Sequence, residues 1–297
     1  MKILLFGGTG QVGWELQRSL ATLGKLVVLG RKNPTPLPAD FSAPECLADI
    51  VRAVQPDLIV NAAAYTAVDK AEGEQELVRA INATAPGILA REAAASGAWL
   101  MHYSTDYVFN GMGSTPWVEN SPTEPLNVYG WTKLEAEQLI RSSGCLHLIF
   151  RTSWVYAARG RNFVRTILRL ARERDSLQVI DDQIGAPTGA ELLADLTSHA
   201  LRLAMQNHAL AGTYHVAPAG ETSWYGYARH IVEVARAAGN ETRLTPDSIE
   251  PVPASAFPTV ARRPANSRMN TEKLRSSFGV TLPTWENGVD RVLVEMA

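Results

Sequence analysis

The stretch "KILLFGGTGQVGWEL", residues 2–16, sets a short apolar run, a glycine-rich turn and the start of an amphipathic segment in direct succession. An apolar run of that length, closed by glycines, reads as a strand buried on both faces. Gly8, Gly10 and Gly13 satisfy G-x-G-x-x-G, and Gly7, Gly10 and Gly13 satisfy G-x-x-G-x-x-G. Glycines allow a tight turn and let backbone N–H groups approach a pyrophosphate at a helix N-terminus. Such triplets also occur in ordinary turns. The strand before this one and the helix after it supply the context that a dinucleotide-binding loop requires.

Outward from that loop the pattern repeats. "KLVVLG", "DLIVNAAA", "AWLMHYS" and "LHLIFRTSWVY" are further apolar runs. Between them lie the helical segments "CLADIVRAVQ" and "EQELVRAINATAPGILAREAAASG" and the helix that opens at "NVYGWTKLEAE". Strands that are apolar throughout, joined by helices, imply a parallel sheet covered on both faces. The expected fold class is α/β, a Rossmann-type doubly wound parallel sheet with a smaller, interleaved mixed α/β substrate domain. The dinucleotide-binding domain is expected over residues 1–173, completed by about 187–217, because "GTYHVAP" reads as one more sheet strand. Residues 174–186 and 218–297 are expected to form the substrate-binding domain.

Bulk properties bound the function. The 297 residues are 46% hydrophobic and 20% charged, with a net charge of −2. No basic excess argues for nucleic acid, and no polybasic or bilayer-length apolar run argues for a membrane. The two cysteines, Cys46 and Cys145, show no metal-ligand pattern and suit a reducing compartment. The expectation is a soluble cytoplasmic protein. The six histidines lack metal-ligand spacing, and His102, inside an apolar strand, reads as structural.

The second strand ends in Gly30-Arg31-Lys32. NAD sites usually carry an acid there for the ribose hydroxyls. Without it a 2′-phosphate is not repelled, and Arg31 can pair with one. That favours NADPH, with NADH possible; two basic residues after a strand are also an ordinary solvated pair.

Tyr129 and Lys133 stand four residues apart at the start of a helix and so share a face. Chance produces this spacing often. Here "HYSTDYVF" places Ser104, Thr105 and Asp106 where a strand leaves the carboxyl edge of the sheet, the place where open parallel sheets bind ligands. A hydroxyl, a phenol and an ammonium above a nicotinamide site make a proton-transfer set. Tyr129 would protonate a carbonyl oxygen. Lys133 would lower the tyrosine pKa from its usual value of about 10 and hold the ribose hydroxyls. Thr105 would orient the carbonyl. The loop with Arg262, Arg263, Asn266 and Ser267 offers diphosphate contacts, or is simply exposed.

Together with "VNAAAYTAVDKAE", "RTSWVYA", "DQIGAPTGAELLAD" and "ARRPANSRMNTEKL", these motifs resemble the extended short-chain dehydrogenase/reductase family, and within it the dTDP-4-dehydrorhamnose reductases, over essentially the whole chain. The resemblance implies NAD(P)H-dependent reduction of a small-molecule 4-keto sugar nucleotide. It implies that Gly10, Gln11 and Val12 contact the cofactor phosphates. Asp40 and Phe41 would lie by the adenine, Ala64, Tyr65 and Thr66 in the cofactor groove, and Tyr103 in the cofactor region. It places Thr105, Asp106 and Trp154 at the sugar nucleotide, where Arg263 and Asn266 of the basic loop are expected to join them as substrate contacts. It further implies a homodimer in which Glu15, Glu191 and Glu295 surround Mg2+. Relatives often have Asp at the position of Gly30. Two other readings share the fold: a regulatory subunit resembling that of methionine adenosyltransferase, and a nucleotide-sugar epimerase or dehydratase. A dehydratase is expected to carry a further acid beside Thr105, where this chain has "TDY".

Overall fold

The computed structural model describes residues 1–30 and 39–296, so Arg31 lies outside the described residues. In chain order the first half runs β1 (Lys2–Phe6), α1 (Gln11–Leu20), β2 (Lys25–Leu29), α2 (Cys46–Val54), β3 (Leu58–Asn61), α3 (Val68–Ala71), α4 (Gln75–Arg79), α5 (Ala85–Ser96), β4 (Trp99–Thr105), α6 (Val128–Ser142) and β5 (His147–Thr152). The second half adds β6 (Val155–Tyr156), α7 (Phe163–Glu173), β7 (Leu177–Ile180), β8 (Ile184–Gly185), β9 (Thr188–Gly189), α8 (Ala190–Ala204), β10 (Gly212–His215), β11 (Thr222–Ser223), α9 (Trp224–Ala237), β12 (Ile249–Val252), α10 (Glu272–Phe278) and α11 (Trp285–Met296).

Six strands form one sheet in the order β10-β5-β4-β3-β1-β2, every neighbouring pair parallel. The order reverses between β1 and β3, which opens a crevice at their carboxyl ends. Ile3, Leu5, Leu58 and Val60 face one core, shared with α1 and α8. Leu4, Phe6 and Ile59 face the other, shared with α2 and α5. This is the doubly wound α/β fold expected from continuous apolar strands.

Two segments depart from the sequence pattern. The run "LHLIFRTSWVY" is broken: β5 stops at Thr152, Trp154 takes φ +50, and β6 pairs with β9 instead of the sheet. The long helical stretch after Glu74 contains one wide turn at Ala80–Thr84, and the helix resumes with Pro86 in its first turn. A third core lies outside the sheet. Tyr156, Val164, Ile167 and Ala171 pack there with Tyr227, Ile231, Trp285 and Val289. So α7, expected with the dinucleotide-binding segment, packs with α9 and α11, because its apolar stripe faces them. Leu274 and Phe278 of α10, expected in the substrate segment, complete the α8 face of the sheet.

Helix α6 is fixed to the sheet by a buried ion pair. Glu137 lies two turns after Tyr129 and is 0% exposed. Its carboxylate accepts from Arg151 Nε (2.9 Å) and Nη2 (2.7 Å), Ser104 Oγ (2.5 Å) and Arg141 Nη1 (2.9 Å). Burial pushes its pKa up, but these donors outweigh burial and hold it below the usual carboxylate value. Glu137→Gln strands the Arg151 charge in the core and should cost about 3–5 kcal/mol of stability at neutral pH. A depressed carboxylate stabilises above its unfolded pKa and stops doing so as pH falls through the folded one. Urea denaturation should therefore show the gap between the two proteins closing in acid.

Candidate active site

The glycine loop has the shape of a cradle. Gly7 adopts φ +80, and a Cβ on it would lie 2.6 Å from Ala63 N. A Cβ on Gly13 would sit 2.1 Å from the Gly7 carbonyl oxygen, so α1 approaches β1 as closely as backbone permits. Gly10 N–H closes the turn on Gly7 O at 3.0 Å, and Gly10 caps α1 without a side chain over the helix end. That bare N-terminus suits an anion. Gly7, Gly10, Asp40, Phe41, Ala64, Tyr65 and Thr66 line one cleft of about 490 Å³ over the sheet's carboxyl edge. Gly30 borders the same cleft, with no atom of the described residues within 4 Å of where a Cβ would project. Gln11 instead accepts from Asn162 Nδ2 at 2.8 Å, tying the loop to the start of α7.

Tyr129 and Lys133 share one face of α6, which Asn127 caps by accepting from Gly130 N at 2.8 Å. A Cβ on Gly130 would lie 2.3 Å from Tyr107 O, so the first turn lies tight against the loop after β4. Tyr129 is edge-on to Tyr107, with ring centres 5.5 Å apart. Burial raises its pKa, Thr105 pulls the other way, and Asp106 adds to the rise. Lys133 was expected to lower it. Its ammonium position is engaged elsewhere: Nζ donates to Tyr103 O at 2.5 Å and lies 3.2 Å from His102 Nε2. Burial brings Lys133 down to about 8, with Glu137 opposing. The electrostatics of the chain itself thus keep Tyr129 a phenol.

Thr105 Oγ1 donates to Asp106 Oδ1 (3.1 Å) and accepts from Tyr107 N (3.2 Å). Asp106 is 1% exposed, and among the described residues its Oδ2 has no hydrogen-bond partner. Burial pushes its pKa up to about 6 against the pull of Ser267 and Thr105. A second cleft, of about 310 Å³, opens beside them, lined by Tyr107, Trp154, Phe163, Trp224, Arg263 and Ser267 among others. Trp154 stacks on Trp224 with ring centroids 3.7 Å apart, and its backbone is left-handed, at φ +50. A bulky residue at φ > 0 is uncommon and is often found at ligand sites.

The remaining expected residues divide. Arg263 reaches this second cleft, but Nη2 also pairs with Asp69 at 2.6 Å. Asn266 is spent on structure: its amide donates to Thr115 O at 2.9 Å, and its oxygen accepts from Arg268 N at 3.2 Å. Tyr103 turns its hydroxyl to Thr197 (2.7 Å), offering the site only its carbonyl. Glu15 and Glu295 both repel the Glu191 carboxylate, whose pKa burial raises. Among the described residues, however, no group of three or more His, Cys, Asp or Glu is arranged to hold a metal. Ser267, named as a possible diphosphate contact, lies beside Asp106 instead, and two placements escape the sequence pattern: Trp224 under Trp154 and His102 touching Lys133. Nothing in local spacing marks either of them; only His102's place one residue before Tyr103 hints at the site.

Comparison with known proteins gives this geometry a lineage. Residues 1–297 match the RmlD substrate binding domain family. The chain belongs to that family. It is 55% identical over 296 residues to the dTDP-4-dehydrorhamnose reductase of Escherichia coli (strain K12), spanning 100% of this chain and 98% of that protein. It is 49% identical over 293 residues to the dTDP-4-dehydrorhamnose reductase of Burkholderia thailandensis, spanning 97% of each. Its structure is similar to that of the dTDP-4-dehydrorhamnose reductase from Bacillus anthracis str. Ames in complex with NADP, with a TM-score of 0.86, 32% identity and 99% of each chain covered. The cradle, the phenol and the aromatic cleft of this RmlD-family chain therefore lie within one shared architecture.

The buried Asp106 makes a pH prediction for this RmlD-family chain. A carboxyl whose folded pKa is raised favours the fold while protonated, and that contribution is lost as pH climbs from about 4 to about 6. Unfolding free energies measured in urea across that window should fall with pH by up to about 3 kcal/mol on account of Asp106. In Asp106→Asn that component should vanish, whatever constant offset the substitution adds.

Proposed function

We propose that this chain reduces the C4 keto group of dTDP-4-dehydro-β-L-rhamnose to give dTDP-β-L-rhamnose, using NAD(P)H, with Tyr129 as the proton donor. The observation that carries the reading is the half-buried Tyr129 phenol beside Thr105 and edge-on to Tyr107, which lines the aromatic cleft. The identity to curated dTDP-4-dehydrorhamnose reductases over the full length supports the same substrate. An intact proton donor favours an enzyme over a regulatory subunit, and "TDY" favours a reductase over a dehydratase.

The residues divide the work as follows. The glycine cradle, the α1 N-terminus and the cleft through Asp40, Phe41 and Tyr65 would hold the dinucleotide. When bound, its reduced nicotinamide supplies hydride to C4. The Thr105 hydroxyl orients the C4 oxygen, and Tyr129, held neutral by burial, donates its proton to it. Lys133, one turn along, would hold the ribose hydroxyls with a proton not given to Tyr103 O. The aromatic cleft at Trp154, Trp224 and Phe163, with Arg263 at its rim, takes the nucleoside diphosphate, so remote binding energy positions the carbonyl. NADPH is the favoured cofactor, since Gly30 leaves no carboxylate to oppose a 2′-phosphate, and the structure of the Bacillus anthracis relative holds NADP. Residues 1–173 with about 187–217 are proposed as the dinucleotide-binding unit and residues 174–186 and 218–297 as the substrate-binding unit, with α7 packing on the second unit's core and α10 on the first unit's sheet. The protein acts in the cytoplasm; among the described residues no helix is long and apolar enough to cross a membrane.

The assembly belongs to the same reading. Glu191 already feels Glu15 and Glu295, and a two-fold axis would present all three twice. Mg2+ accepts oxygen ligands and relieves such repulsion. A homodimer should form at micromolar protein in light scattering and weaken when magnesium is chelated. A monomer in both conditions ends the assembly proposal, and a dimer indifferent to chelator removes the metal.

For the chemistry, the test is NADPH oxidation in the presence of the 4-keto sugar nucleotide. Tyr129→Phe should keep the fold and cofactor binding but lower turnover by about 10²–10⁴-fold. Turnover near that of the unmodified protein would show that another group donates the proton.

A further inference from the structure

Gln11 opens α1 at the glycine cradle, and a residue from the far half of the chain fixes which way its amide faces. Asn162 caps α7, its Oδ1 accepting from Arg165 N at 3.1 Å. A backbone N–H is accepted only by the amide oxygen, so the Asn162 NH2 is turned the other way. That NH2 donates to Ala157 O at 2.7 Å and to Gln11 Oε1 at 2.8 Å, with Arg159 O a longer third contact at 3.3 Å. An NH2 group donates only to an acceptor, so the Gln11 atom that meets it is the oxygen. The Gln11 NH2 is what remains, and among the described residues it has no hydrogen-bond partner.

The segment that carries Asn162 is fitted to α1 at two further points. Arg159 lays its guanidinium over the Trp14 ring, 3.6 Å from the ring centre and one turn along α1 from Gln11. A Cβ on Gly160 would come within 3.1 Å of Gln11 Cγ. Residues 157–162 thus lie along the first turn of α1. Val164, Ile167 and Ala171 of α7 are buried in the third core, so the start of α7 is placed by packing that the glycine turn takes no part in.

At the mouth of the cradle, the first backbone N–H groups of α1 have no acceptor within the helix, and Gly10 caps them with no side chain. A side-chain NH2 on the first helical residue is one more donor beside them, and N–H bonds to a charged phosphate oxygen are stronger than neutral ones. We propose that Asn162 is a positioning residue for the dinucleotide: it holds the Gln11 amide by its oxygen, so that the NH2, and not the oxygen, meets a phosphate oxygen of bound NADP. A Gln11 amide turned the other way would set its oxygen against the phosphate and repel it. The role given to Asn162 rests on the cofactor reading proposed above; the orientation of the two amides does not.

The test is calorimetric titration of NADP into the full chain, with no sugar nucleotide present. Gln11→Met keeps the length of the side chain and removes its amide. Asn162→Ser keeps a hydroxyl to cap α7 but is too short to reach Gln11. Each should weaken NADP binding about tenfold, the worth of one hydrogen bond to a charged group. The double variant should weaken it no further than Gln11→Met alone. If Asn162 serves only the loop, the two losses multiply to about a hundredfold in the double variant, and the proposal is overturned. A folded Asn162→Ser chain with undiminished affinity overturns it too. Should Asn162→Ser not fold, the side-chain amide NMR signals of Gln11 in the unmodified chain, assigned by their loss in Gln11→Met, give the answer. NADP should shift them, and signals that stay in place overturn the proposal. An unmodified chain that does not bind NADP overturns the cofactor reading and this proposal with it, whereas NADP binding indifferent to Asn162 overturns this proposal alone.

Discussion

The site depends on one buried ion pair, that of Glu137 with Arg151. Tyr129, Lys133, Glu137 and Arg141 recur every four residues along α6 and so share a face. The first two are the proposed working groups. The third anchors them, because its carboxylate takes two bonds from Arg151 on β5 and one from Ser104 on β4. Burying two charges gives little net stability. Its worth lies in geometry: a carboxylate that has no other way to be satisfied fixes the rotation and the height of the helix. The phenol and the Lys133 nitrogen are thereby set against the end of β4.

A second constraint acts at the other end of the crevice. The contact of Gly13 with the Gly7 carbonyl leaves no volume for a side chain, so α1 points its bare N-terminus over the sheet edge. The loops after β4 close the gap between these fixed points. Gly130 lies on Tyr107 O, Asn127 Nδ2 donates to Arg262 O at 2.7 Å, and Arg263 pairs with Asp69. The loop from the third core is thus held against the first half of the chain. The aromatic cleft takes its place between them, with Trp154, at φ +50, stacked on Trp224.

Much of this was legible in order along the chain. The glycine loop is a local code, since strand, turn and helix are neighbours in sequence and the reason for each glycine is steric. The Tyr129–Lys133 pair is legible for the same reason, as a helix fixes the meaning of a four-residue spacing. The expected role of Lys133 toward Tyr129 was not secured by spacing. Sharing a helix face does not say which partner an ammonium finds, and here Tyr103 O and His102 engage the Lys133 nitrogen. Asn266 is similar: a polar residue in a basic loop reads as a ligand contact until the fold brings the Thr115 carbonyl to its amide.

The sequence by itself determined the α/β class, the parallel sheet, the glycine loop and the candidate proton donor, because each is written in local patterns and in periods of two or four residues. Only the tertiary structure decided where β5 breaks, which core receives α7 and α10, and which partners surround Lys133. Those outcomes rest on contacts between residues far apart in the chain. Asn61, His102 and Lys133 belong to three different elements, and burial gives their hydrogen bonds a strength that no local pattern encodes.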